Sequence, residues 1–274
     1  MSKEFTESFD TKYLELLLDP LRTCAKYTPN FGKNESDEFT AIRFQEVYGA
    51  DPLYHWIGLD SELMYAAHKA AGGMTSIYRQ LGTGCERLFR AVIADTLKIA
   101  PDDLNWGYDV ETDDGGSRRL TLDAKIDCTS IVDSRAKKRM ASWLSTSAKS
   151  LGISQARSKE ISGAVFEVRQ GYKSADAKRQ NADLRNAAHA FSENYLPVIT
   201  VLSTQISDTL LRRYRNGNML VLTGDRSGDV LKDTYAFMNN IVGFPLDSFF
   251  ERNSEILRRE VNLILAALLS PKAT

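Results

Sequence analysis

The central stretch of this chain is Gly163-Ala-Val-Phe-Glu-Val-Arg-Gln-Gly-Tyr-Lys-Ser-Ala-Asp-Ala-Lys-Arg-Gln-Asn-Ala-Asp183, in which an apolar segment passes directly into a polar one. The apolar segment predicts a buried strand, and successive residues of a strand point to opposite faces of its sheet. Glu167 and Arg169 therefore share a face and carry a carboxylate and a cation into the interior. Burying charges is costly, so this strand is a candidate for a functional site.

A helix is predicted directly after the strand, from Ala177 to His189, with Ser174 and Asp176 as possible N-cap oxygens. Four polar side chains crowd its start, namely Lys178, Arg179, Gln180 and Asn181. Cations near a helix N-terminus oppose the helix dipole. Their placement suits an anionic partner better than it suits the helix alone.

The composition is that of a soluble globular protein, with 274 residues, 43% hydrophobic and 26% charged. The net charge of -1 argues against a coat of basic residues, so a nucleic-acid site has to be a local patch. Three scattered cysteines are expected to be free thiols in a reducing compartment. No apolar run approaches the length of a membrane span and no secretory signal is recognised, so we expect a cytoplasmic protein.

The chain before about residue 75 is predicted to be an N-terminal helical region. Its helices are expected over 11–28 and Ser61–Ala71, the latter ending at Gly72-Gly73, with a further helix from about Thr75 to Leu97. Residues 76–274 are predicted to form the main domain, closed by an amphipathic helix from Ser248 to Leu269.

The pattern from residue 76 onward predicts an α/β fold with a mixed central β-sheet flanked by helices. Turn residues 113–116 join two runs rich in strand formers, which predicts a hairpin of Asn105–Thr112 with Ser117–Val132. The other elements follow as a basic helical segment over 133–160, strands over Leu196–Leu202 and Met219–Thr223, and a helix over Asp208–Arg215. The basic segment is equally consistent with a solvated face and with a surface that contacts phosphates.

Carboxylates on three of these elements can converge in such a sheet: Glu86 on the long helix, Asp123 or Asp127 on the hairpin, and Glu167 on the central strand. Clustered carboxylates without His or Cys form a hard-oxygen site, which Mg²⁺ prefers. Each acid taken alone is more readily an ordinary ion pair. Together, on successive core elements, they favour a magnesium site.

Over about residues 76–224 the chain resembles the PD-(D/E)xK superfamily of nucleases, and within it the type II restriction endonucleases. Three segments carry the resemblance: Gly82-Thr-Gly-Cys-Glu-Arg-Leu-Phe89, Leu122-Asp-Ala-Lys-Ile-Asp127 and Phe166-Glu-Val-Arg169. Lys173 to Asn186 resembles, more loosely, a segment of the CCGG-cutting branch. The resemblance implies a restriction-endonuclease-like core, Mg²⁺ as cofactor, double-stranded DNA as partner and a homodimer.

The same resemblance assigns the site residues. The catalytic candidates are Glu86, Asp123, Asp127, Glu167, Arg169 and Lys173, with the metal on Glu167 and one of the two aspartates. The candidates for DNA contact are Lys173, Ser174, Lys178, Arg179, Gln180 and Asn181.

Two features depart from the family pattern. Arg169 stands where the family has lysine, so either Lys173 reaches back into the site or Arg169 acts only electrostatically, because arginine does not readily accept a proton. No proline precedes either candidate aspartate. The expected function is a type II restriction endonuclease, with a DNA-binding or regulatory protein on a degenerate nuclease core as the main alternative. A small-molecule α/β enzyme has no cofactor loop or nucleophile constellation in its favour.

Overall fold

The computed structural model describes residues 3–29, 41–111, 115–172 and 177–269, with side chains from Phe9 onward. The predicted N-cap residues Ser174 and Asp176 and part of the predicted hairpin turn lie outside these ranges. The described chain forms two compact units, one of Met1–Gly84 with Arg252–Thr274 and one of Cys85–Glu251. The C-terminal segment thus groups with the N-terminal helices, whereas the sequence placed it in the main domain.

Within the described ranges of the second unit, three successive strands are followed by helices, and from Gly163 onward strands and helices alternate as far as Leu222. The helices are α1 (Lys3–Arg22), α2 (Ala41–Gly49), α3 (Pro52–Trp56), α4 (Glu62–Leu97), α5 (Ser134–Ser150), α6 (Gln155–Glu160), α7 (Ala177–Ser192), α8 (Asp208–Asn216), α9 (Thr234–Phe237), α10 (Leu246–Arg252) and α11 (Ser254–Leu269). The strands are β1 (Trp106–Glu111), β2 (Ser117–Leu122), β3 (Ala124–Asp127), β4 (Gly163–Arg169), β5 (Tyr195–Val201) and β6 (Leu220–Leu222). No helix within the described ranges is long and apolar enough to cross a bilayer.

The prediction of two helices separated at Gly72-Gly73 is wrong, because α4 runs through both glycines. A Cβ at Gly72 would lie 2.0 Å from the hydroxyl oxygen of Tyr27, and one at Gly73 would lie 2.6 Å from Leu268 Cδ2. The glycines therefore allow close packing against neighbouring segments and do not end the helix.

The predicted C-terminal helix is also two helices, α10 and α11, separated at Asn253. Arg252 and Asn253 both donate to the carboxylate of Asp10, with Arg252 Nη2 at 2.6 Å from Oδ1 and Asn253 Nδ2 at 3.2 Å from Oδ2. The break therefore coincides with a polar anchor to α1, a long-range contact that the apolar stripe of this segment does not reveal.

The central sheet has four strands in the order β3-β4-β5-β6, and the prediction of a mixed sheet in an α/β fold is confirmed. The pairs β4–β5 and β5–β6 are parallel, whereas β3 runs antiparallel to β4. Parallel neighbours need a crossover connection, and α7 and α8 supply the two crossovers.

The second arm of the predicted hairpin is divided between two sheets. Strand β2 pairs with β1 in a separate two-stranded sheet and ends at Leu122, whereas β3 begins at Ala124 and pairs with β4. Asp123 lies at the transfer point. Its backbone N–H donates to the carbonyl of Phe166 at 3.0 Å, and its Oδ2 accepts the N–H of Val168 at 2.6 Å.

The two faces of β4 pack against different helices. Phe166 contacts the rings of Phe89 on α4, Trp143 on α5 and Phe237 on α9. Glu167 lies on the opposite face and is in register with Ile199 of β5, which belongs to a core cluster containing residues of α7 and α8. The face of β4 that carries Glu167 and Arg169 is therefore the face directed toward α7.

Candidate functional site

Asp123 and Glu167 lie side by side where β4 approaches its carboxyl end. The antiparallel register pairs Ala124 with Phe166, so the next pair along is Asp123 and Glu167. Burial raises the pKa of Asp123. Burial and, after it, the charge of Asp123 raise the pKa of Glu167 to about 8. Two desolvated carboxylates at one point of the sheet create a local negative potential that favours a cation.

Glu86 joins this pair from α4. It is half-buried, and burial followed by the charge of Asp123 raises its pKa. One turn further along α4, Arg90 donates to the carbonyl oxygen of Asp123 at 2.5 Å and to Asn105 Oδ1 at 2.7 Å. Arg90 therefore fixes the backbone that carries Asp123. The structure thus brings three of the carboxylates predicted from the sequence into one electrostatic cluster.

Arg169 is the cation of the cluster. Its Nη2 forms an ion pair with Glu167 Oε1, on its own strand, and a second one with Asp183 Oδ1 on α7, at 3.2 Å. Its Nε is buried without a hydrogen-bond partner in the described part of the chain. The guanidinium is therefore held between two carboxylates and retains one unsatisfied donor.

Asp183 is a member of the site that the sequence interpretation missed. It is only 4% exposed and accepts the hydroxyl groups of Tyr172 and Tyr214 at 2.8 and 2.6 Å, both on Oδ2. A signal was present, because Asp183 falls with Ala187 and Ala190 on the buried stripe of α7 at helical spacing. A lone carboxylate on an apolar stripe indicates a buried partner.

Asp127, the alternative metal ligand, is at the other end of the β3–β4 pair, in register with Gly163. It lies four positions along the chain from Asp123, roughly 13 Å at the usual rise of a strand. Its Oδ1 accepts the N–H of Thr129 at 2.7 Å and its Oδ2 accepts the hydroxyl of Tyr195 at 2.8 Å. Asp127 caps a short 3₁₀ turn and is not brought together with Glu167.

The predicted DNA-contact residues at the start of α7 divide into two groups. Lys178 and Arg179 are exposed, and the guanidinium of Arg179 lies 5.9 Å from the ring centroid of Tyr172. Gln180 Oε1 and Asn181 Oδ1 accept hydrogen bonds from the two Nη atoms of Arg213 on α8, at 2.5 and 2.6 Å. Lys173 and Ser174 lie outside the described residues.

The donor chemistry of the cluster fits a hard cation. Within the described ranges no group of three or more His, Cys, Asp or Glu side chains is arranged as a metal cage. Mg²⁺ does not need one, because it keeps several waters and is commonly bound by one or two carboxylates. Asp123 and Glu167 are the two carboxylates at this point of the sheet, and Glu86 adds negative potential from α4.

Comparison of the chain with protein-family models, with curated proteins and with solved structures finds no match. The function of the site is therefore inferred from the geometry described above.

Proposed function

We propose that this protein is a Mg²⁺-dependent, sequence-specific endonuclease of double-stranded DNA, of the type II restriction endonuclease class. The observation that carries the proposal is the adjacency of Asp123, immediately before β3, and Glu167 on β4, with Glu86 within electrostatic reach. Carboxylates that converge at the edge of a mixed sheet provide the hard-oxygen site that phosphodiester hydrolysis uses.

Asp123 and Glu167 would hold the metal, and Mg²⁺ would supply charge neutralisation at a phosphate and a more acidic water. Burial and the charge of Asp123 raise the pKa of Glu167 to about 8, even though the charge of Arg169 opposes this shift. Metal binding is therefore expected to release protons and to strengthen as the pH rises. Arg169 remains charged and serves the phosphate electrostatically, not as a base.

DNA would lie against the start of α7, which follows the strand that carries Glu167. Lys178 and Arg179 are exposed there, and Arg213 orients the amide groups of Gln180 and Asn181. Arginine and lysine pair with guanine, and glutamine and asparagine with adenine, so this edge has the chemistry to read bases in the major groove. Cutting both strands of a duplex requires two such centres, which a homodimer on a palindromic site supplies.

One observation favours the alternative, a DNA-binding or regulatory protein on a catalytically degenerate nuclease core. Arg169 is paired with both Glu167 and Asp183, so a cation is already present beside the metal-binding carboxylates. A guanidinium there can replace the metal's charge without supplying its bound water. The two functions share the DNA-binding surface and differ in the need for Mg²⁺.

Incubation of the protein with a mixture of plasmids, once with Mg²⁺ and once with EDTA, distinguishes the endonuclease from the DNA-binding alternative. If the protein is an endonuclease, discrete DNA fragments should form only when Mg²⁺ is present. The variants Glu167→Ala and Asp123→Asn should no longer form these fragments but should still bind duplex DNA. Asp127→Asn is the matched control and should retain cleavage, because that carboxylate is distant in register from Glu167. Undiminished cutting by Glu167→Ala would refute the site. Specific DNA binding without cutting by the wild type would establish the alternative.

A further inference from the structure

A cavity of about 590 Å³ lies beside α5, and none of the carboxylates of the cluster lines it. Three cations line it, namely Arg135, Lys138 and Arg139, together with the apolar side chains of Val230 and Ile241. The indole of Trp143 forms part of the wall, and its ring packs on the Phe166 side of β4. Since Glu167 points to the other face of that strand, the cavity is separate from the proposed active site.

The three cations are electrostatically uncompensated. In the described ranges none of them forms an ion pair with a carboxylate, and all three side chains are exposed. The nearest acidic residue in sequence, Asp133, is engaged as the N-cap of α5 and accepts the N–H of Ala136 at 2.7 Å. Cations in the first turns of a helix also oppose its dipole. The local charge is therefore positive and favours an anion.

One of the cations is already oriented. Arg139 Nε donates to the carbonyl oxygen of Ile241 at 3.3 Å, which ties the guanidinium to the segment that forms the far wall of the cavity. Arg135 lies three residues before Lys138 and four before Arg139, so the three side chains project from the same side of α5 and all three line the cavity. Ser142 and Thr146 continue this lining with hydroxyl groups one and two turns further on.

The cavity combines a compact cationic end with an apolar wall. The cations fall within five residues of helix, roughly 6 Å of axis, which suits a compact polyanion better than the extended phosphate row of a duplex. Val230 and Ile241, both partly exposed, suit a flat or apolar group. Its volume lies in the range of small-molecule sites.

We infer that the α5 cavity binds a small phosphorylated organic ligand of the nucleotide class. Its phosphates meet Arg135, Lys138 and Arg139, and its base lies toward Val230 and Ile241. The site does not depend on the proposed nuclease activity, because it is on the other face of the sheet and uses none of the carboxylates of the cluster.

The test is calorimetric titration of the full-length protein with ATP, adenosine and inorganic triphosphate, in EDTA at low salt. We expect ATP to bind at least tenfold more tightly than either fragment, and Lys138→Glu to weaken ATP at least tenfold. Ser142→Trp, which fills the cavity without changing its charge, should weaken ATP to a similar extent. Lys149→Glu alters an exposed cation of the same helix outside the cavity and should change ATP affinity less than twofold.

Circular dichroism of each variant verifies that the fold is retained. Saturable ATP binding that is insensitive to both Lys138→Glu and Ser142→Trp would overturn the inference, as would the absence of ATP binding by the wild type. A short duplex that binds with the same sensitivity to Lys138→Glu, while ATP does not bind, would reassign the cavity to DNA and equally overturn it.

Discussion

Glu167 couples the stability of the protein to pH. Its pKa is raised to about 8 by burial and by Asp123, whereas an unfolded glutamate titrates near 4.3. Between these values the folded state binds more protons than the unfolded state. The contribution of Glu167 to stability is therefore fully present below the unfolded pKa and is lost as the pH rises through the folded one.

We predict that Glu167→Gln flattens this dependence. Between about pH 5 and about pH 8 the free energy of unfolding should decrease more in the wild type than in the variant. The two decreases should differ by more than about 1 kcal/mol. Urea unfolding at the two pH values in EDTA measures the difference. Glu111→Gln removes an exposed carboxylate and should follow the wild type. Parallel slopes for wild type and Glu167→Gln would contradict the buried placement of Glu167.

Asp183 is expected to be a structural anchor for Arg169. Asp183→Asn removes the charge that pairs with Arg169 and weakens the acceptor for two tyrosine hydroxyls, so we predict a loss of about 3 kcal/mol in unfolding free energy. Tyr172→Phe removes a single hydroxyl and should lose about 1 to 2 kcal/mol. Denaturant unfolding of both variants measures these values. A loss under about 1 kcal/mol for Asp183→Asn would show that the pair contributes little.

Helix α4 shows how two glycines in one element can have opposite roles. A Cβ at Gly84 would lie 2.5 Å from the carbonyl oxygen of Leu17, whereas a Cβ at Gly82 meets nothing within 4 Å. We predict that Gly84→Ala destabilises the protein by about 1 to 3 kcal/mol through overpacking. Gly82→Ala should stabilise it by up to about 1 kcal/mol through helix propensity. Thermal unfolding of the two variants shows whether each substitution raises or lowers the stability. Equal changes in stability for Gly84→Ala and Gly82→Ala would contradict the close packing at Gly84.

Helix α7 is the element expected to meet DNA, and Arg179 is its exposed candidate for base contact. If Arg179 reads a guanine, Arg179→Ala should lose about 1 to 3 kcal/mol of discrimination at one base pair. A phosphate contact would instead weaken all duplexes alike and reduce the salt dependence of binding. Binding to cognate and singly substituted duplexes at two salt concentrations distinguishes the two roles. Uniform weakening would remove Arg179 from the base readers.

At the scale of the whole molecule, the proposed function requires two catalytic centres for one duplex. We therefore predict a homodimer of twice the chain mass of 30.7 kDa. Sedimentation equilibrium at micromolar concentration, alone and with a cognate duplex, measures the mass. A protein that remains monomeric in both conditions while cutting both strands would contradict the dimer. Because the net charge is -1, the proposed function requires that DNA bind to a local basic patch, with an affinity that falls as salt rises.

Local patterns in the sequence were sufficient for most elements of the second unit. The strand at Gly163–Arg169, the helix after it and the next two strands lie close to where alternation and helical periodicity placed them. The same patterns placed Glu167 and Arg169 on one face of a buried strand. These features depend on neighbours within one turn or one strand, so the sequence alone determines them.

Only the tertiary structure decided which acids meet. The choice between Asp123 and Asp127 depends on the register of β3 against β4, and both aspartates have the same parity along the strand. The pairing of Asp183 with Arg169 depends on how α7 packs on the sheet. The role of Gly72 inside α4 depends on the close approach of Tyr27, which a Cβ at this position would block. Each of these is a contact between residues distant in sequence, and local propensity carries no information about the partner.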